Sequence, residues 1–154
     1  MGFFDKLKGA VNAITGGGAK VVLELGSASA YPAGLVRVKL TVTSTGGEIN
    51  SKGVFVDLKA VEQIRLPKSA HASLQGDISA DKVTFEQEIK IAPEFKLAPN
   101  ETKMFEGVVT IPPTAQPSYD GPWADHAWAI RGRIEVTGND PDSGFTPIKI
   151  GLAA

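Results

Sequence analysis

The chain has no cysteine, which removes disulfides, thiolate metal ligands and cysteine nucleophiles together. It has only two histidines, His71 and His126, far apart in sequence and in no ligand spacing. Lys and Arg number 16 against 17 Asp and Glu, for a net charge of -1, and no block of five like charges occurs. Nucleic-acid binding needs a basic face or stripe, and none is present. No window approaches the ~18 consecutive apolar residues of a membrane-spanning helix. The first residues, MGFFDKLKGAVNAI, lack the apolar core and small-residue cleavage site of a secretory signal. These absences together lead us to expect a cytoplasmic protein. At 154 residues the chain is long enough for one domain with its own core.

Two hydrophobic periods run through the rest. Phe3, Phe4, Leu7, Val11 and Ile14 recur at helical spacing and form one apolar stripe, which predicts a short amphipathic helix over 3–14. Gly16-Gly17-Gly18 would stop it and act as a joint. We therefore expect a helix in 1–15, a glycine linker in 16–19 and one domain in 20–154. From Lys20 the period falls to two. Val21, Leu23 and Leu25 mark a first strand; Val36, Val38, Leu40 and Val42 alternate with Arg37, Lys39, Thr41 and Thr43 in a second. Val54, Val56, Leu58 and Ala60 give a third, and Val83, Phe85, Ile89 and Ile91 a fourth. Phe105, Val109 and Ile111 share a face, with Gly107 expected at a bulge or a close approach. Trp128, Ile130, Ile134 and Val136 oppose Arg131, Arg133 and Glu135, and Ile148, Ile150 and Leu152 close the series. Residues 65–82 read as a long polar loop with at most a short edge strand. Such short alternating strands predict an all-β, antiparallel β-sandwich.

Little of this pattern suggests catalysis. Ser118 sits in Pro-Ser-Tyr-Asp-Gly, which is not a nucleophile elbow, and the glycine triplet lies in the wrong order for a phosphate loop. Asp120, Asp125, Asp140 and Asp142 could offer oxygens to calcium, but Asp beside Gly or Pro is ordinary turn chemistry. We expect no catalytic residue, no cofactor and no metal. Trp128 has the parity of a core residue, whereas Trp123, beside Gly121-Pro122, is the surface aromatic. Contact with a partner or a lipid surface is therefore assigned to Phe3, Phe4, Leu7, Val11, Ile14 and Trp123. Docking to a protein is favoured over lipid by the thin basic face, Lys6 and Lys8 beside Asp5.

One segment reads as a signature. Ile111-Pro112-Pro113, then Pro117-Ser118-Tyr119-Asp120-Gly121, then a strand with Ile130-Arg131, is similar to the arrestin N-terminal domain. The sporulation-control family of that superfamily is closer still. Gly2-Phe3-Phe4-Asp5-Lys6-Leu7 resembles its opening helix, and Trp128-Ala129-Ile130-Arg131 and Asp140-Pro141-Asp142 resemble its later strand and turn. The resemblance implies an arrestin-like sandwich and a non-enzymatic adaptor or scaffold. Two departures stand out: this chain holds one such domain where those proteins hold two, and Gly132 follows Arg131 where an aromatic is usual. A single domain can replace the missing interface by pairing with another copy, so a homo-oligomer is expected. Its contacts would run through an open sheet edge or through the Phe3/Phe4 helix in a partner groove. The alternative is a peripheral membrane- or ligand-binding sandwich dependent on calcium or lipid.

Overall fold

Eleven strands make up the described part of the chain, residues 14–16 and 18–152 of the computed structural model. They are β1 (Ile14–Gly16), β2 (Ala19–Leu25), β3 (Ser29–Ala30), β4 (Leu35–Ser44), β5 (Ile49–Leu66), β6 (Ile78–Ala92), β7 (Phe95–Leu97), β8 (Thr102–Thr110), β9 (Tyr119–Asp120), β10 (Ala124–Val136) and β11 (Asp142–Ile150). A four-stranded sheet runs β1-β2-β4-β8. A seven-stranded sheet runs β3-β11-β10-β5-β6, with β7 added to β5 and β9 to β10. All pairings are antiparallel except β3 with β11.

The alternation in the sequence is what makes two sheets bury one face each. On β4, Val36, Val38, Leu40 and Val42 are at most 2% exposed, while Leu35 and Arg37 on its other face turn to water. Opposite them lie Val54, Val56, Leu58 and Ala60 of β5 and Trp128, Ile130 and Ile134 of β10, all equally buried. Each such side chain removed from water contributes about 1.5–3 kcal/mol. Trp128 anchors this layer: its ring lies 5.4 Å from Phe85, and its indole N–H donates to the carbonyl of Gln116 at 2.8 Å. Gly107 is a close approach, since a Cβ there would stand 2.9 Å from Ile91 of the facing sheet. The β4–β8 register passes through it without a bulge.

Two boundaries differ from the sequence pattern. Ile14, Thr15 and Gly16 form β1, paired with Val21, Lys20 and Ala19, so the helical period cannot extend to Ile14. The glycines close a tight hairpin in place of a loose joint: Gly16 pairs with Ala19, and Gly18 adopts φ +84°, a region that glycine enters without steric penalty. Ile14–Gly16 therefore already belong to the small sheet, ahead of residue 20. Phe3, Phe4, Leu7 and Val11 lie outside the described residues. The second difference is the predicted loop at 65–82. β5 continues to Leu66 and β6 starts at Ile78, leaving only 67–77 as a connection with one 3-10 turn at Lys68–Ala70. Ile64 and Ile78 there are 43% and 47% exposed, so ladder hydrogen bonds, not burial, hold this end of the hairpin, and no apolar alternation marks it.

Candidate functional site

The 111–126 segment is tied down at every step. Ser118 donates its N–H to the carbonyl of Ile150 at 2.8 Å, and its hydroxyl accepts the Ile150 N–H at 2.9 Å. Tyr119 and Asp120 then form β9 against His126 and Asp125. His126 is 3% exposed and bridges two elements. Its Nδ1 lies 2.8 Å from the Pro117 carbonyl, which only accepts, so Nδ1 carries the proton. In the neutral ring Nε2 then accepts from the Thr84 hydroxyl at 2.7 Å. Tyr119 stacks on the same ring, 5.9 Å between centroids, and donates its hydroxyl to Glu62 at 3.0 Å. That hydrogen bond, with some desolvation, raises the phenol above its ordinary value, so it stays a donor. A hydroxyl on an imidazole is the beginning of a nucleophile–base pair. Here a neutral carbonyl stands behind the ring where a carboxylate would stabilise an imidazolium, and the ring is sealed in. The pair fastens the signature segment to β10 and β6.

Beside it, Asp125 is 4% exposed and directly opposite Gln63, also 4% exposed. Arg65 pairs with Oδ2 of Asp125, while Asp125 Oδ1 and Gln63 Oε1 are buried without a hydrogen-bond donor. Burial raises the Asp125 carboxyl above its ordinary value, as does the Asp120 carboxyl within hydrogen-bonding reach; Arg65 pulls the other way. The folded chain thus binds this proton more tightly than the unfolded chain. Its stabilising contribution is full below the unfolded value and is lost as pH rises through the folded one. Asp125→Asn, neutral at every pH and able to donate an amide N–H to Gln63, should melt at or above the parent at pH 7. The gap should close as pH falls toward about 4. Thermal melts of both proteins at pH 4 and pH 7 measure it; a lower midpoint for the variant at pH 7 would mean the Arg65 pair outweighs burial.

A second cluster occupies the outer face of the large sheet. Asp57 accepts from Arg131 Nε and Nη2 at 3.0 and 2.8 Å, and from Arg133 Nε and Nη2 at 2.9 and 3.4 Å. Arg133 also pairs with Glu88 and lies 3.8 Å from Asp140. The cross-strand register explains the convergence, because Arg131 on β10 faces Asp57 on β5, which faces Glu88 on β6. Arg131 covers the Phe145 ring at 4.7 Å and Arg133 the Phe55 ring at 4.8 Å. Burial works against the Arg133 charge, but Asp57, Glu88 and Asp140 outweigh it and hold the guanidinium above its ordinary value. The cluster lines an open basin of about 830 Å³, in which Asp57, Glu88, Arg131 and Arg133 hold one another.

The sheet edges differ in character. β6 is a 15-residue edge with bulges near Val54/Phe55 and Ala60/Val61 of its partner, and with Asp81, Lys82, Glu86, Glu88 and Lys90 exposed along it. Bulges and charges are how natural edges refuse a further strand. β8 has neither bulge nor irregularity over its nine residues, and among the described strands it pairs only with β4. Its outer face presents Met104, 63% exposed, and Val108, 49% exposed, on either side of Glu106. Of the contact residues assigned from sequence, Trp123 stands 49% exposed ahead of β10, with its carbonyl accepting the Arg65 N–H at 2.8 Å. Ile14 lies in β1, on the opposite edge of the small sheet from β8. The structure brings neither of them to the β8 edge. Met104 and Val108 carry the same period-two signal as the core, in the other phase, and so pass as ordinary exposed residues.

No protein-family model and no curated protein matches the chain. Among solved structures it is similar to the sporulation control protein Spo0M from Bacillus subtilis, with a TM-score of 0.62 and 17% identity over 90% of this chain. At that identity the likeness speaks for the fold alone, and the chain spans 50% of the length of Spo0M. Among the described residues no three His, Cys, Asp or Glu side chains gather as a metal-ligand set, and no helix is long and apolar enough to cross a membrane.

Proposed function

We propose that this chain is a non-enzymatic adaptor or scaffold that works through protein–protein contacts and associates with its own copies. The observation that carries this reading is the β8 edge, a regular strand that among the described strands is paired on one side only, with exposed apolar residues on its outer face. An added strand would gain main-chain hydrogen bonds there, and alternate side chains would supply selectivity. The polar side chains with chemical potential support the same reading from the other direction. His126, Thr84, Tyr119, Asp57, Arg131 and Arg133 are engaged with one another or with backbone inside the fold. An arrestin-like fold is compatible with an adaptor, though fold alone does not assign a function.

The apolar stripe of Phe3, Phe4, Leu7 and Val11 is the competing surface. Light scattering on the full chain and on a chain lacking residues 1–13, which keeps β1, separates the two. We expect both to assemble beyond the monomer and both to unfold cooperatively. Assembly lost with the first 13 residues, while the fold remains, would move the contact from the sheet edge to the stripe.

A further inference from the structure

We infer that two copies join through β8, antiparallel about a two-fold axis at Glu106, so that the small sheets merge into one eight-stranded sheet. The inference rests on the self-association proposed above and specifies its surface and register. β8 spans Thr102–Thr110, so pairing it with itself over its full length centres on Glu106. In that register Thr102 meets Thr110, Lys103 meets Val109, Met104 meets Val108 and Phe105 meets Gly107 of the second copy, each twice. The favourable couples are those of the outer face, Thr102 with Thr110 and Met104 with Val108. Threonines facing each other already hydrogen-bond on this face, Thr43 to Thr102 at 2.9 Å across β4 and β8. Met104 and Val108, 63% and 49% exposed, would cover each other. On the inner face Phe105 would meet Gly107, whose side-chain space Ile91 of the facing sheet already fills, so the outer face decides the register. Shifting the register by two residues in either direction breaks the Met–Val couple. A one-residue shift puts inner faces against outer ones.

The register also places two unfavourable contacts, Lys103 beside buried Val109 and, at the axis, Glu106 against its own copy. Lys39 lies opposite Glu106 on β4, and Glu24 opposite Lys39 on β2, so the merged sheet reads Glu24, Lys39, Glu106, Glu106, Lys39, Glu24 across its centre. Like charges directly opposed weaken a pair, so Glu106 tunes the association down. Glu106→Gln should tighten it about five-fold.

The absence of cysteine permits a direct test of register. Directly opposed residues have Cα atoms about 4.5–5.5 Å apart, within reach of a disulfide. Glu106→Cys should therefore oxidise to a covalent dimer. Lys39→Cys, about 14 Å from its copy across three strand spacings, should not. Met104→Cys alone should not cross-link either, because it faces Val108, whereas Met104→Cys with Val108→Cys should. The same proteins, reduced, go through light scattering with the exposed-face variant Met104→Glu/Val108→Glu, which should be monomeric with an unchanged far-UV spectrum. An oligomer that survives Met104→Glu/Val108→Glu, or cross-links equally at Lys39→Cys, overturns the β8 interface and leaves self-association standing. A parent chain that remains monomeric at every concentration overturns both.

Discussion

Asp57→Ala should lower the unfolding free energy by about 3 kcal/mol, because it leaves two guanidinium groups facing one another without their shared acceptor. Asp57 is 9% exposed, and the Arg133 side chain 12% exposed, so water can repay only part of the loss. The Arg131 side chain is 32% exposed and supplies the smaller share, discounted for screening. Urea melts give the number. A loss below about 1 kcal/mol would put the cluster in the class of exposed surface pairs. Truncating all three charged groups to well-packed apolar residues should cost far less than Asp57→Ala alone, since the charges left without a partner, Glu88 and Asp140, are about half exposed to water.

Gly132→Ala should be nearly as damaging, about 1–3 kcal/mol, although it adds a single methyl. Gly132 has the inward parity of β10, between Ile130 and Ile134 and opposite Val56. A Cβ built there would stand 2.5 Å from Leu40 Cδ2 and 2.8 Å from Cγ, across the sandwich. Leu40 is fully buried, so it cannot swing aside. Leu40→Ala alone should cost about 2–5 kcal/mol, and the double variant clearly less than the sum, since each change makes room for the other. Strict additivity in that cycle would mean the two residues do not compete for the same space. Leu40 fills the volume that a side chain at 132 would need.

The strands were legible where one face is buried. Val36 to Val42, Val54 to Ala60 and Trp128 to Ile134 alternate cleanly, and each lies in the core as the period predicts. Legibility failed where pairing replaces burial. Ile64, Arg65 and Ile78–Ala80 are held by their ladder and stay exposed, so they read as loop. It failed again at Ile14, whose helical spacing from Val11 is overridden by the hairpin that Gly16 to Ala19 closes. The Asp57–Arg131–Arg133 and Thr84–His126–Pro117 groupings join residues from different strands, and only the register brings them together. Parity alone put Arg131 and Arg133 on the wet face of β10. It gave no sign that Asp57, 74 residues before Arg131, stands across from them.

This sandwich is proposed to act by joining other chains, its own copies first. Sedimentation or light scattering of the untagged chain over a wide concentration range tests it most directly. The account predicts a reversible shift from the 16.2 kDa chain to twice that mass, suppressed by Met104→Glu/Val108→Glu and strengthened by Glu106→Gln. A single species of 16.2 kDa at every concentration would contradict it.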